Sequence, residues 1–416
     1  MKITKESNHL LHFFVENICF PPLEQSKKIH AVLKNLYNEI KMGVNYINEL
    51  KLKKGETFYK MKMTRITNVE KIPKPSTFPE NAFPSEIKKH IDKHSMVSLT
   101  YTFHLFKRNI SIIFLIEESH VEKLIKTYNN YVDYMLVWLY MIDIHSSKKC
   151  VNQLKIFVYH TSLLKNLPKS NNEILNENNV NTAFTRTCPS NSEIVIFRKE
   201  EWFKVFIHET FHNFGLDFSN MNMSTIHKKI FKLFPVNSNI NLYEAYAEFW
   251  ARMVNVLFCS FIYAKTKNDR NAFYEKVDFF INFERQFAFF QMVKILNFMG
   301  LTYQDLYKKT ALSEKMRRIF YKEDTNVLSY YVITLILLNN CYEFLLWCDA
   351  NNASILNFKK TEKTLDNFCK FIEKNYKSED LLYGIECTNE LLDHVKKTTK
   401  GNYLTKTLRM TLCELG

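Results

Sequence analysis

The spacing of apolar residues changes along the chain, and this change predicts where helices and strands lie. Residues 1–50 carry apolar side chains at helical intervals, for example Leu33, Leu36 and Ile40, and so does 120–144. Several segments instead alternate or are rich in β-branched residues, which predicts strands: 55–69, 97–106, 110–116, 155–160, 179–186 and 193–198. Residues 97–116 form a predicted hairpin, and four prolines between 72 and 84 predict an extended connection.

The second half of the chain is almost wholly helical in pattern. The main predicted helices are 242–264, 270–298, 327–347, 354–375 and 379–397. An α+β fold follows, in which a sheet-bearing lobe precedes a helical lobe. We expect an N-terminal helical and extended region at 1–94, the sheet-bearing lobe at 95–218 and the helical lobe at 219–416.

Between these lobes lies the segment Trp202–Phe218, which contains the pattern H-E-x-x-H. His208 and His212 are four residues apart, so a helix brings both imidazoles to one face. Such a pair supplies two of the three protein ligands of a catalytic zinc. Glu209 lies about 100° round the helix and is free to act as a general base. Gly215 is a natural stop for this helix, and the acids at 199–201 favour its first turn.

A catalytic zinc needs a third protein ligand, and three candidates remain open. Asp217 follows the motif closely but is one residue short of the H-E-x-x-H-x-x-G-x-x-H/D spacing. His227 lies in a polar stretch that favours a solvated side chain. Glu244 lies four residues before Glu248 on an otherwise apolar helix, where a metal and a ligand histidine would offset the cost of burying two carboxylates. The competing interpretation is a solvated stripe of polar side chains.

The combination of H-E-x-x-H with a later E-x-x-x-E helix resembles the glutamate-zincin metallopeptidases. The string EAYAEFWARM is especially similar to the third-ligand helix of lethal-factor-like zinc proteases, and the two motifs together resemble proteins of large nucleocytoplasmic DNA viruses. The resemblance covers residues 202–255. It implies a zincin-like fold, zinc bound by His208, His212 and Glu244, and Glu248 as the partner of His208.

The resemblance also implies a reaction, namely hydrolysis of peptide bonds in a protein or peptide substrate by a metal-activated water, with Glu209 as base. A stabiliser of the developing oxyanion is required, and tyrosine is a common choice in this class. The candidates are Tyr243, Tyr246, Tyr330 and Tyr331. Substrate is expected to add to an edge strand at 179–186 or 193–198.

Composition adds few constraints on function. The net charge of +14 permits an anionic partner, yet the lysines are dispersed and no nucleic-acid-binding signature accompanies them, which disfavours nucleic acid. The most apolar run, 330–348, is interrupted by polar residues and predicts a buried helix instead of a membrane span. Two alternatives to an enzyme remain, a catalytically idle zincin-fold protein with a structural or virion role and a nucleic-acid-associated protein. Retention of Glu209 argues against the idle protein.

The nine cysteines are scattered, odd in number and without a C-x-x-C pair. Together with an N-terminus that lacks a secretory signal pattern, they predict a cytoplasmic protein in which every thiol stays reduced.

Overall fold

The computed structural model describes residues 1–264, 269–398 and 403–416 and shows an α+β fold built on one six-stranded mixed sheet. The strands are β1 (Lys60–Arg65), β2 (Val97–Leu105), β3 (Arg108–Ile116), β4 (Gln153–His160), β5 (Ala183–Thr185) and β6 (Asn191–Ile196). Their order is β1-β2-β3-β4-β6-β5, with β3, β4 and β6 parallel to one another and the other neighbours antiparallel. The sheet therefore begins at β1, inside the region that the sequence assigned to the N-terminal 94 residues.

The predicted hairpin is confirmed. Strands β2 and β3 pair from Val97 with Ile116 to Leu105 with Arg108. The two residues of the turn, Phe106 and Lys107, have φ values of 56° and 59°. Positive φ at both central residues is typical of the hairpin turn whose twist matches that of the flanking strands.

Helices cover both faces of the sheet, because its parallel strands carry apolar side chains on both sides. Ile113, Phe157 and Val195 point to one face, where they pack with α3 (Ser85–His94). Ile112, Ile156 and Ile194 point to the other face and join the main core. The remaining helices of the first half are α1 (Lys5–Glu16), α2 (Lys27–Lys54), α4 (Ile125–His145), α5 (Glu177–Val180) and α6 (Trp202–Asn213). Short 3₁₀ turns occupy Gly55–Phe58, Val69–Lys71, Glu80–Ala82 and Glu122–Leu124.

After α6 the described chain is helical, as the apolar pattern predicts. Its helices are α7 (Ser224–Leu233), α8 (Leu242–Tyr263), α9 (Arg270–Phe298), α10 (Tyr303–Tyr307), α11 (Ala311–Phe320), α12 (Thr334–Asn339), α13 (Cys341–Asn351), α14 (Glu362–Asn375), α15 (Glu379–Thr398) and α16 (Tyr403–Lys406). The predicted helix at 327–347 is in fact a π-helical segment, Leu328–Ile333, followed by α12 and α13, with a 91° bend at Asn340. The predicted helix at 354–375 begins only at Glu362.

No single described helix is long and apolar enough to cross a bilayer, although the bent pair Leu328–Asn339 and Cys341–Asn351 passes that criterion when its two parts are counted together. Most of this pair is packed inside the protein, including Leu335, Leu337 and Phe344.

One expectation about the cysteines is wrong. Cys150 and Cys188, 38 residues apart, form a disulfide, while the other seven are free. The loops before β4 and between β5 and β6 bring these two residues together. The spacing of the two cysteines in the sequence does not predict this pairing, because β4 and the hairpin of β5 and β6 come together only in the folded sheet.

Candidate metal centre

Helix α6 lies between the sheet and α8, and all twelve of its residues are buried. Its polar residues on the sheet side have specific partners. Ser192 of β6 donates a hydrogen bond to Asn213 Oδ1 (2.6 Å), Asn213 Nδ2 donates to Thr185 of β5 (2.9 Å), and Trp138 of α4 donates to Thr210 (2.7 Å). These contacts set the rotation of α6, so that His208 and His212 face α8.

Helix α8 brings Glu244 to the two histidines. His208 Nε2 and His212 Nε2 are 3.1 Å apart, and Glu244 Oε2 lies 3.2 Å and 3.5 Å from them, respectively. In a tetrahedral zinc site with bonds of about 2.0–2.1 Å, the ligand atoms are separated by about 3.3–3.4 Å. The three measured separations agree with that value to within a few tenths of an ångström.

Carboxylates on the far side of each imidazole fix its orientation. Asp217 accepts a hydrogen bond from His212 Nδ1, and Glu248 Oε2 lies 3.2 Å from His208 Nδ1 in an ion-pair contact outside hydrogen-bond angles. Because a carboxylate only accepts, these contacts suit a proton on Nδ1 of each ring, which leaves Nε2 as the nitrogen that could bind a metal once its own proton is lost. Two Nε2 atoms and a carboxylate oxygen therefore converge on one point, which suits a cation.

Asp217 thus contacts the non-coordinating nitrogen of His212 and is not part of the convergent group. Gly215, at φ 65°, reverses the chain directly after α6, and this turn returns Asp217 to His212. His227 lies on α7, outside the three convergent groups. Of the three third-ligand candidates, only Glu244 is placed beside both histidines.

The pKa values reflect this packing of charges. For His208 and His212, burial alone would lower the pKa, but the facing carboxylates Glu244, Glu248 and Asp217 outweigh it and raise both. For Glu244, burial is opposed more strongly by the two histidines, which hold its pKa well below the ordinary value. In the metal-free protein the site therefore holds protons that a dication would replace.

Glu209 lies beside the metal ligands and not among them. It lines a narrow cleft together with Thr182 and Ala183 at the start of β5, and with Tyr330. Its residue is 7% exposed, and burial raises the pKa of its carboxyl. Strand β5 is the edge strand of the sheet, whereas β6 is interior, so of the two predicted edge segments only 179–186 borders the cleft from an edge.

The structure separates the four candidate tyrosines. Tyr330 donates a hydrogen bond to Glu244 Oε2 (2.8 Å), and Tyr243 places its ring 5.9 Å from that of His212. The hydroxyls of Tyr246 and Tyr331 are bound to the carbonyls of Leu356 (3.1 Å) and Leu408 (2.6 Å). The hydroxyls of Tyr246 and Tyr331 therefore donate to backbone carbonyls away from the three convergent ligand atoms. Tyr330 belongs to the π-helical segment, a distortion that is frequent at functional sites.

Sequence reasoning missed the cations behind the site. Lys204, one turn before His208, places Nζ 3.0 Å and 3.1 Å from the two oxygens of Glu248, and Arg252 Nε lies 2.8 Å from Oε1. All three side chains are at most 2% exposed. They hold the pKa of Glu248 well below its ordinary value against the effect of burial. A lysine inside the apolar string WFKVFIHE was the available signal.

The acids before α6 do not lie in its first turn, contrary to expectation. Glu201 adopts φ 60° ahead of the helix, pairs with Lys165, and accepts hydrogen bonds from the backbone N–H groups of Met410 (2.8 Å) and Thr411 (2.5 Å). Glu200 accepts from the backbone N–H of Lys165 (2.7 Å). Both acids are therefore tied to distant segments of the chain.

Comparisons with models of protein families, with curated proteins and with solved structures found no significant match to this chain.

Proposed function

We propose that the protein is a zinc-dependent metallopeptidase of the glutamate-zincin type. The observation that carries this proposal is the convergence of His208 Nε2, His212 Nε2 and Glu244 Oε2 at separations of 3.1–3.5 Å, with Glu209 in the adjoining cleft. Two imidazoles and one carboxylate form a donor set typical of catalytic zinc, which keeps a position open for water or substrate. The residues present therefore fit this metal.

When bound, zinc would polarise a water molecule and the carbonyl of the scissile bond. Glu209 would accept a proton from that water at its carboxylate and deliver it to the leaving amine. The raised pKa of Glu209 suits this task, since a base must release its proton again in the next step. Tyr330, whose pKa burial raises well above the usual value, stays neutral, and it would redirect the hydroxyl proton that it donates to Glu244 toward the developing oxyanion.

The proposed substrate is an extended segment of protein. Strand β5 has one edge paired with β6 and the other edge free of strands within the sheet. An extended peptide adds to such an edge through its backbone, and residues 182–183 border the same cleft as Glu209. The peptide would thereby pass beside the proposed base.

The test combines metal and activity. Elemental analysis of the purified protein should show about one zinc per chain, and a peptide library should be cleaved by wild type but not by Glu209→Gln, which keeps its zinc. Glu386→Gln on α15, an exposed residue outside the site, is the matched control and should cleave normally. Metal-free protein with unchanged structure would overturn the proposal.

The second candidate is a catalytically idle zincin-fold scaffold. It is favoured by burial, since His208, Glu209, His212 and Tyr330 are each less than a tenth exposed. A structural zinc needs no access, whereas a peptidase must admit its substrate. Stoichiometric zinc with no cleavage by wild type across the library would select this alternative.

A further inference from the structure

The Cys150–Cys188 disulfide packs directly on the turn that follows the metal-ligand helix α6. A Cβ atom at Gly215 would lie 3.4 Å from Cys188 Cβ and 3.5 Å from Cys150 Sγ. The disulfide thus forms one wall of the turn at 214–217. On another side, the backbone N–H of Phe358 donates a hydrogen bond to the carbonyl of Leu216 (2.8 Å). The turn is therefore held between the disulfide and the segment before α14.

The loop that carries Cys188 is also hydrogen-bonded to the last turn of α6. The backbone N–H of Cys188 donates to the carbonyl of His212 (3.2 Å), and Asn213 Nδ2 donates to the carbonyl of Arg186 (3.3 Å). Beyond the turn, the hydroxyls of Thr187 and Ser219 lie 2.9 Å apart. The loop therefore contacts the residues on both sides of Gly215.

The backbone on each side of the disulfide is strained. Cys188 has φ 48°, and Val151, next to Cys150, has φ 59°. Non-glycine residues avoid this left-handed region, and β-branched valine avoids it most. Such conformations persist only where the surrounding structure imposes them. Breaking the disulfide removes one of the constraints that impose them here.

The turn determines where Asp217 lies, and Asp217 is the hydrogen-bond partner of His212 Nδ1. Its other oxygen accepts from the backbone N–H (3.1 Å) and hydroxyl (2.8 Å) of Ser219, which in turn contacts Thr187. A continuous set of contacts therefore runs from the residue next to Cys188, Thr187, through Ser219 to Asp217 and a metal ligand, while the disulfide itself packs on Gly215.

We propose that the Cys150–Cys188 disulfide is a redox-dependent positioning element of the metal centre, which keeps His212 oriented for metal through the turn at 215–217. The proposal rests on the metal site proposed above. Reduction by a dithiol would break the S–S bond, with two electrons and two protons converting it to two thiols while the dithiol becomes a disulfide. The loosened turn would then release Asp217 from His212.

The experiment measures the rate at which zinc passes from the full-length protein to a chromogenic chelator, with and without a dithiol. We expect release to become roughly 10–100-fold faster on reduction, the usual effect of losing the partner of a ligand histidine. The double variant Cys150→Ser/Cys188→Ser should release zinc at the fast rate under both conditions. Cys19→Ser/Cys387→Ser, which changes two half-buried free cysteines, is the control and should behave as wild type. Equal release from oxidised and reduced wild type would overturn the proposal.

Asp217→Asn distinguishes positioning from general stabilisation. If the disulfide acts through Asp217, this variant should release zinc quickly already, and a dithiol should add little. A further large acceleration by dithiol in Asp217→Asn would overturn the pathway through the turn.

Amide hydrogen exchange on metal-free protein supplies a readout that does not need zinc. Reduction should speed exchange in the segments 186–190 and 212–219 while leaving α9 and α15 unchanged. Protein that binds no zinc in either state would defeat the proposed function, and this exchange pattern alone would then decide the positioning role of the disulfide. If reduction accelerated exchange evenly over the chain, or did not accelerate it at 212–219, the positioning role of the disulfide would be refuted.

Discussion

Changing Glu244 or Glu248 of α8 to glutamine should affect zinc binding and stability to different extents. Glu244 faces the convergent imidazole nitrogens, whereas Glu248 lies behind His208 between two buried cations, Lys204 and Arg252. Glutamine preserves side-chain volume and removes the charge. Glu244→Gln should therefore remove bound zinc while lowering the free energy of unfolding only slightly. Glu248→Gln should lower the free energy of unfolding strongly and weaken zinc binding only in part.

The magnitudes follow from burial. Removing one partner of a buried ion pair costs about 3–5 kcal/mol, because the remaining charge is left uncompensated. In Glu248→Gln, Lys204 retains a second carboxylate, Glu201, at 4.0 Å. We therefore expect a loss of stability at the lower end of this range, about 3 kcal/mol. Among the described residues, the side-chain partners of Glu244 are the two histidines and Tyr330, and the histidines can lose their protons, so its replacement should cost about 1 kcal/mol.

The assay is denaturant unfolding of the metal-free variants together with zinc retention after dialysis. Glu244→Gln should lose zinc almost entirely, whereas Glu248→Gln should bind it about 10–100-fold more weakly than wild type. Glu386→Gln should match wild type in both measurements. If Glu248→Gln emptied the site while Glu244→Gln retained zinc, the assignment of ligand and partner along α8 would be wrong by one helical turn.

Four further outcomes are expected. Tyr330→Phe should keep zinc and lower kcat by about 10²–10³-fold, the usual effect of losing an oxyanion donor; unchanged kcat in steady-state assays would remove Tyr330 from the reaction. Because the pKa values of His208 and His212 are raised, zinc binding should release protons at neutral pH, so the zinc affinity should rise with pH by up to about two decades per unit until both histidines are neutral. The same raised pKa values stabilise the metal-free fold fully below about pH 6.5 and less as pH rises, and calorimetry across pH should show this loss only without zinc. Thiol titration of denatured, unreduced protein should find seven free thiols, and recovery of all nine would exclude the disulfide.

The parts of the fold that could be predicted from sequence are those with a strong local pattern. The hairpin of β2 and β3, the motif helix α6 and the long helices α8 and α9 all carry one spacing over their full length. The prediction of one continuous helix at 327–347 was wrong because apolar residues occupy every face there, so no periodicity indicates the bend at Asn340. The prediction that the acids at 199–201 lie in the first turn of α6 was wrong because Glu200 and Glu201 have partners elsewhere in the chain.

The same limit applies to the site. The spacing of His208, Glu209 and His212 follows from one helix, and the spacing of Glu244 and Glu248 follows from another. Asp217 could not be assigned by spacing, since its role depends on the reversal at Gly215 and on which imidazole nitrogen it meets. Tyr330 could not be chosen among 22 tyrosines, because only the packing of the π-helical segment on α8 brings it to Glu244.

The last residues of the chain show why local patterns cannot describe this centre. The backbone N–H groups of Met410 and Thr411 bind Glu201, Glu201 faces Lys204, and Lys204 holds Glu248 beside His208. Glu201, Lys204 and Glu248 are all buried, so each needs its neighbours to offset the cost of removing its charge from water. A segment about 200 residues from the H-E-x-x-H motif is therefore part of what orients the first histidine, and a change near residue 410 that displaces Glu201 should reach His208 through Lys204 and Glu248.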